Sequence, residues 1–161
     1  MIVLVSDTSV LIDLERGNLL VPAFSHGLSM VVPDLLYEDE LNETNGPYLR
    51  SLGLGVLALS PQELALVQSA RQRCRTLSLA DCFALALALR PDHALVTGDQ
   101  KLREEAQQQA VTVYGLLWLL DQLEALGVGR SVLFQGLSSI AAHARCRLPR
   151  EDVKRRLERW T

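Results

Sequence analysis

The chain is short of the residues that mark several large classes of protein. It has three cysteines, Cys74, Cys82 and Cys146, none in a CxxC spacing, so neither a disulfide framework nor a thiolate zinc site is indicated. With no recognisable leader before the first strand, they are expected to be reduced thiols in a cytoplasmic protein, Cys82 serving as a small core residue. No apolar run approaches the roughly 20 residues of a membrane span. Walker A and GxGxxG stretches are missing, which argues against a nucleotide cradle. A receiver-type phosphoacceptor domain would need a Lys after its last strand, where this chain has Tyr114-Gly115. His26, His93 and His143 are scattered and fall in no motif, so none is a convincing general base. Positive charge is also scarce: 16 Lys and Arg stand against 19 Asp and Glu, a net charge of −3 that does not announce a nucleic-acid binder. The balance is uneven, however. Residues 143–161 carry seven basic and three acidic side chains (+4), and the first 142 carry nine and sixteen (−7).

What remains is aliphatic and orderly. At 161 residues and 48% apolar composition, with only 5% aromatic, the chain can build one sizeable core from aliphatic side chains. Short β-branched runs alternate with longer helical patterns, which predicts an α/β fold with a mostly parallel sheet. Strands are expected at 2–6, 28–32, 56–59, 94–97 and 111–114. A helical stripe of Val10, Leu11 and Leu14 stops at Gly17, and a second short helix spans Leu19 to Ser25. Asp34 can cap a helix running to about Asn42, with Asn45-Gly46-Pro47 as a loop. Ser60-Pro61-Gln62-Glu63 reads as a helix start with Ser as N-cap, Pro at N1 and Glu at N3; Ser78-Leu79-Ala80-Asp81 resembles it. Apolar helices follow at Leu116–Leu126 and 131–144, and Pro149 opens a last one with Val153, Leu157 and Trp160 on one face.

Four acids occupy special places in this pattern. Asp7 closes the first strand, Asp99 follows Ala94–Thr97 after Gly98, Asp81 starts an otherwise apolar helix, and Glu40 lies in Tyr37-Glu38-Asp39-Glu40-Leu41. Each has an ordinary reading: Asp7 and Asp99 as N-caps, Asp81 as an N3 acid favoured by the helix dipole, the triplet as a solvated face. In open parallel sheets, though, ligands bind just beyond the carboxyl ends of the strands. A carboxylate on a buried helix also needs a partner. Taken together, the four suggest an acidic pocket made tolerable by a hard divalent cation. Tyr37 and Leu41 on the buried face put Glu40 at its edge, with Asp39 as the alternative and Glu38 not excluded.

In these segments the chain resembles the PIN-domain family of metal-dependent ribonucleases, known as the toxins of bacterial toxin–antitoxin pairs, the VapC-like group. The matching stretches are Val5-Ser6-Asp7-Thr8-Ser9-Val10-Leu11-Ile12-Asp13, Tyr37-x-x-Glu40-Leu41, Leu77 to Ala86 around Asp81, and Leu95-Val96-Thr97-Gly98-Asp99-x-x-Leu102, in family order. Gly115 to Leu120 is similar to the terminal helix of an uncharacterised PIN-like subgroup. The resemblance implies a three-layer α/β/α sandwich on a five-stranded sheet over 1–128, with 129–161 as a helical extension packed on the same domain. It implies Mg²⁺ or Mn²⁺ held by Asp7, Glu40, Asp81 and Asp99, with Thr8, Ser9 and Thr97 in supporting polar roles, and hydrolysis of RNA phosphodiesters.

Positive charge must flank such a site. Arg71, Arg73 and Arg75, before the Asp81 helix, and Lys101 and Arg103, after Asp99, are the candidates for RNA contact, set against a plain solvated helix end. The basic tail also invites an RNA-binding reading, but its i,i+4 pairs and apolar stripe favour docking to the domain or to a partner. The aliphatic richness of Leu116–Leu126 and 131–144 leads to the expectation of a homodimer or a complex with a small antitoxin protein. The rival to a catalytic role is a silent PIN-like module that binds RNA or a protein.

Overall fold

A computed structural model describes residues 2–161. Five strands form one all-parallel sheet: β1 (Val3–Ser6), β2 (Ser29–Pro33), β3 (Gly55–Leu57), β4 (His93–Val96) and β5 (Val113–Tyr114), in the order β3-β2-β1-β4-β5. The helices are α1 (Thr8–Arg16), α2 (Leu20–Ser25), α3 (Asp34–Leu36), α4 (Gly46–Leu52), α5 (Pro61–Arg73), α6 (Leu79–Ala88), α7 (Gln100–Gln108), α8 (Leu116–Ala125), α9 (Arg130–Ala142) and α10 (Arg150–Trp160).

Strand alternation sorts the core into two layers. Leu4, Met30, Val32, Ala94 and Val96 enter one apolar cluster, shared with α1, α2, α4, α8, α9 and α10. Their neighbours Val5, Val31 and Leu95 enter the other, shared with α5, α6 and α7. A period of two along each strand therefore builds an α/β/α sandwich, both faces of the sheet being covered. The chain first runs outward from β1 through β2 to β3, then returns across β1 to add β4 and β5. The reversal lies between β1 and β4, whose registered pairs end at Ser6 with Val96. At that point the carboxyl ends of adjacent strands leave a crevice between diverging connections.

The C-terminal helices are part of this core. Leu133, Leu137, Ile140, Val153 and Trp160 join the same cluster as Leu4 and Val96. α9 crosses the end of α1 where Gly17 meets Gly136: a methyl at Gly136 would fall 2.7 Å from Leu19 Cδ1 and 2.9 Å from the Gly17 carbonyl oxygen. Gly17 thus ends α1 with an ordinary negative φ of −89°, and close helix approach is what requires a glycine there. The side chains Leu116, Leu117, Leu119, Leu120 and Leu123 of α8 are buried as well. The apolar surface that suggested a homodimer is thus largely consumed within the chain, with Leu126 and Val132 left exposed near the α8–α9 turn.

Three local expectations change. Asn45-Gly46-Pro47 does not stay a loop; α4 starts at Gly46, with Pro47 in its first turn, where the missing N–H is harmless. Asp34 is not the N-cap of its helix. Pro33 holds that place without a side-chain bond, and the Asp34 carboxylate accepts instead from the Leu35 N–H at 2.8 Å. Nor does one regular helix run to Asn42: after α3 the backbone widens into a π turn over Tyr37–Leu41, closed by Asn42 N–H donating to the Tyr37 carbonyl at 2.7 Å.

Candidate functional site

The core excludes polar side chains with few exceptions, and the exceptions are concentrated. Buried polar residues are Ser6, Asp7, Thr97 and Glu105. Glu105 has an evident structural partner, Arg73, at 3.0 Å. The other three stand together at the carboxyl ends of β1 and β4, beside the crevice where the strand order reverses.

Asp7 is 7% exposed and fully engaged. Its Oδ1 accepts from Ser9 Oγ at 2.6 Å and from the Val10 N–H at 3.1 Å, which makes it the N-cap of α1. Its Oδ2 accepts a short hydrogen bond from Thr97 Oγ1. Thr97 Oγ1 accepts in turn from the Asp99 N–H at 3.0 Å, so one buried hydroxyl ties the end of β1 to the turn after β4. Asp99 caps α7 through Leu102 N–H at 3.1 Å on Oδ1. Both strand-end acids are caps, and both face the same crevice. Capping occupies one oxygen of Asp99 and leaves the other without a partner, whereas in Asp7 the second oxygen is taken by Thr97.

Asp81 sits in a capping box at the start of α6: its N–H donates to Ser78 Oγ at 3.0 Å, and its Oδ2 accepts from the Ser78 N–H at 3.3 Å. Burial raises its carboxyl above the usual carboxylate value, the Ser78 bonds pull against that rise, and the negative charges of Asp99 and Asp7 add to it. Those last two contributions show that three remote acids share one electrostatic neighbourhood. Glu40 joins through the helix start of α1, accepting a short hydrogen bond from Thr8 Oγ1 on its Oε2. Glu38 turns instead to Asn42 at 3.2 Å. All three acids of the triplet lie within the π turn. Such turns recur at functional sites.

The structure links Asp7, Ser9, Thr97 and Asp99 by one set of hydrogen bonds and Thr8 with Glu40 by another, while Asp81 bonds to neither. It does not close them to chelating distance: among the described residues no group of three or more His, Cys, Asp or Glu is close enough to hold a metal ion. Unscreened carboxylates repel at short range, and each of these leans on a local donor. One oxygen each on Glu40, Asp81 and Asp99 has no hydrogen-bond partner among the described residues. An all-oxygen donor set with an electrostatic penalty on Asp81 suits a hard dication.

Of the five cationic candidates, two are committed elsewhere. Arg73 pairs with Glu105, and Arg71 donates to the Leu77 carbonyl at 3.3 Å. Arg75 and Lys101 are exposed. Arg103 lies beside the site, donating to the Thr97 carbonyl at 2.9 Å. Asp13, unassigned from sequence, also belongs to the neighbourhood: burial raises its carboxyl, Arg16 opposes the rise and Asp7 adds to it. Nothing in its spacing from Asp7 marked it in the sequence.

A family model described as DUF3368, PIN domain, matches residues 3–161. The chain belongs to the PIN-domain family. That membership indicates a nuclease-type hydrolase, a class that generally uses divalent metal ions and binds nucleic acid. The matched span includes α9 and α10, the tail that sequence reasoning set apart. Comparison with curated proteins finds no match. Among the described residues no helix is long and apolar enough to cross a membrane.

Proposed function

We propose that the protein is a Mg²⁺- or Mn²⁺-dependent ribonuclease whose site is the acidic crevice between β1 and β4, and that it acts as the toxin of a toxin–antitoxin pair. The observation that carries the catalytic reading is the concentration of buried polar side chains, Ser6, Asp7 and Thr97, at one point of an interior whose other buried polar residue, Glu105, is paired with Arg73. Capping alone does not call for burying a carboxylate against a second strand. The toxin role and its small antitoxin partner rest on the VapC-like order of the motifs.

Asp7, Asp81 and Asp99 would hold the cation, with Glu40 direct or through water. When bound, the ion supplies activation of a water nucleophile and neutralisation of charge on the leaving oxygen. The chain's own part is positional. Ser9 and Thr97 fix both oxygens of Asp7, so its rotamer is set before substrate arrives. Thr8 holds Glu40 at the rim, and the Ser78 cap holds Asp81.

A second reading keeps the fold and discards catalysis: a PIN-like module that binds RNA or a protein. The local engagement of every acid favours it. Wild type and Asp7→Asn incubated with a panel of RNAs, in Mn²⁺ or EDTA, separate the two. The catalytic reading expects cleavage by wild type in Mn²⁺ alone, a loss of about 1,000-fold in the variant, and Mn²⁺-dependent thermal stabilisation of wild type. Absence of both cleavage and stabilisation in wild type leaves the silent module.

A further inference from the structure

A cavity of about 1060 Å³ opens beside the acidic site and not over it: Ser9 and Asp99 line it, whereas Asp7, Glu40 and Asp81 do not. Its opposite wall comes from the connection between α9 and α10 and from α10 itself. The charge of this cavity reverses that of the crevice. Seven arginines and three aspartates line it. Most of those arginines are spoken for: Arg16 with Asp13, Arg155 with Asp152, and Arg156 and Arg159 with Asp121. Arg145 and Arg147 are exposed, have no acidic partner among the described residues, and stand in the segment that faces the acidic rim. Trp118 completes the lining, partly buried, its ring plane set by stacking on Tyr114 at 3.7 Å and 5°.

We propose that this cavity is the cleft for a single strand of the RNA substrate, Arg145 and Arg147 taking its phosphates and Trp118 a base, so that the strand is led to the crevice past Asp99; this rests on the ribonuclease reading above. Unpaired arginines bind a polyanion by releasing its counterions, and an aromatic ring in the same cavity accepts any base face. The volume exceeds the roughly 300–1,000 Å³ of small-ligand pockets. A recess with a tryptophan in its wall suits an unstacked strand better than the outside of a duplex. The tail thus supplies the positive charge that the acidic site lacks, and the domain needs α9 and α10 for substrate as well as for packing.

The test measures binding apart from cleavage. The full chain and an Arg145→Gln/Arg147→Gln variant are titrated, in EDTA, against a fluorescent single-stranded RNA of about ten nucleotides and against the same sequence as duplex, over a salt series. Circular dichroism and thermal melting confirm the variant's fold. The proposal expects preference for the single strand, affinity at least 10-fold weaker in the variant at low salt, and a salt slope shallower by about 1.4, two phosphate contacts at roughly 0.7 each. A Trp118→Phe variant, which keeps a ring, should bind within a few-fold of wild type. Unchanged affinity and slope in a folded double variant, or duplex bound as tightly as single strand, overturns the proposal. If wild type shows no Mn²⁺-dependent cleavage yet binds as described, the ribonuclease reading fails and the cleft stands.

Discussion

Two helix starts in this protein share one grammar and end in opposite electrostatic states. Ser60-x-x-Glu63 opens α5 and Ser78-x-x-Asp81 opens α6, and in both the serine and the acid exchange both bonds of the capping box. Glu63 then meets Arg90, whose Nε and Nη2 reach its two oxygens at 2.7 and 2.8 Å, and that hydrogen-bonded pairing lowers its carboxyl to about 2. Asp81 meets only burial and two further carboxylates, and its carboxyl is raised. An identical cap is completed by a cation in one helix and left to accumulate negative charge in the other. Local sequence chemistry assigns the first a structural role and leaves the second in search of a partner.

The sharpest way to break this contrast is Asp81→Asn. A carboxyl raised above its unfolded value of 3.8 penalises the native state once it ionises, and the penalty is absent below that value. The variant should therefore lose Mn²⁺-dependent cleavage by about 1,000-fold while its metal-free melting temperature at neutral pH holds or rises, since the amide oxygen can still accept from Ser78. A clear drop in melting temperature with the Mn²⁺ effect intact would make Asp81 an ordinary cap. Glu63→Gln tests the opposite arm. The native carboxyl at about 2, against 4.5 unfolded, contributes stability above pH 4.5 that fades as pH falls through 4.5 towards 2. Because Arg90 is partly exposed, that contribution is about 1–2 kcal/mol. Denaturant midpoints from pH 7 to 2 should show a smaller acid-induced decline in the variant, with catalysis untouched. The mildest probe is the pair Ser60→Ala and Ser78→Ala. Each should cost about 1 kcal/mol of stability, but only the second should also reduce cleavage, by loosening Asp81. Equal catalytic effects in the two would erase the distinction.

Much of the architecture was readable from pattern alone, because caps and period-two strands are decided within a few residues. Ser60 and Ser78 announce their helices, and Leu4 and Val5 alternate between faces as any buried parallel strand must. The departures have a common cause. Asn45-Gly46-Pro47 carries loop chemistry yet starts α4, since proline is tolerated in a first turn and Leu49 is fully buried. The π turn at Tyr37–Leu41 leaves no compositional trace, because Tyr37 and Leu41 would share the buried face of a regular helix as well. The acids were legible as positions and, taken together, as a set; the hydrogen bonds from Thr8 and Thr97 that hold them were not.

By itself the sequence determined which residues could serve: two aspartates at strand ends, a third on an apolar helix, an acidic triplet and a basic tail. Tertiary structure alone decided that β1 and β4 are neighbours, so that Thr97 can bridge Asp7 and the Asp99 backbone across 90 residues. It also decided that Glu40, among three adjacent acids, meets Thr8, and that Arg145 and Arg147 face the acidic rim across a cavity. The physical reason is range. Hydrogen bonds and caps are specified within one turn of chain, whereas like charges separated by dozens of residues come together only when burial of the surrounding aliphatic core outweighs their repulsion.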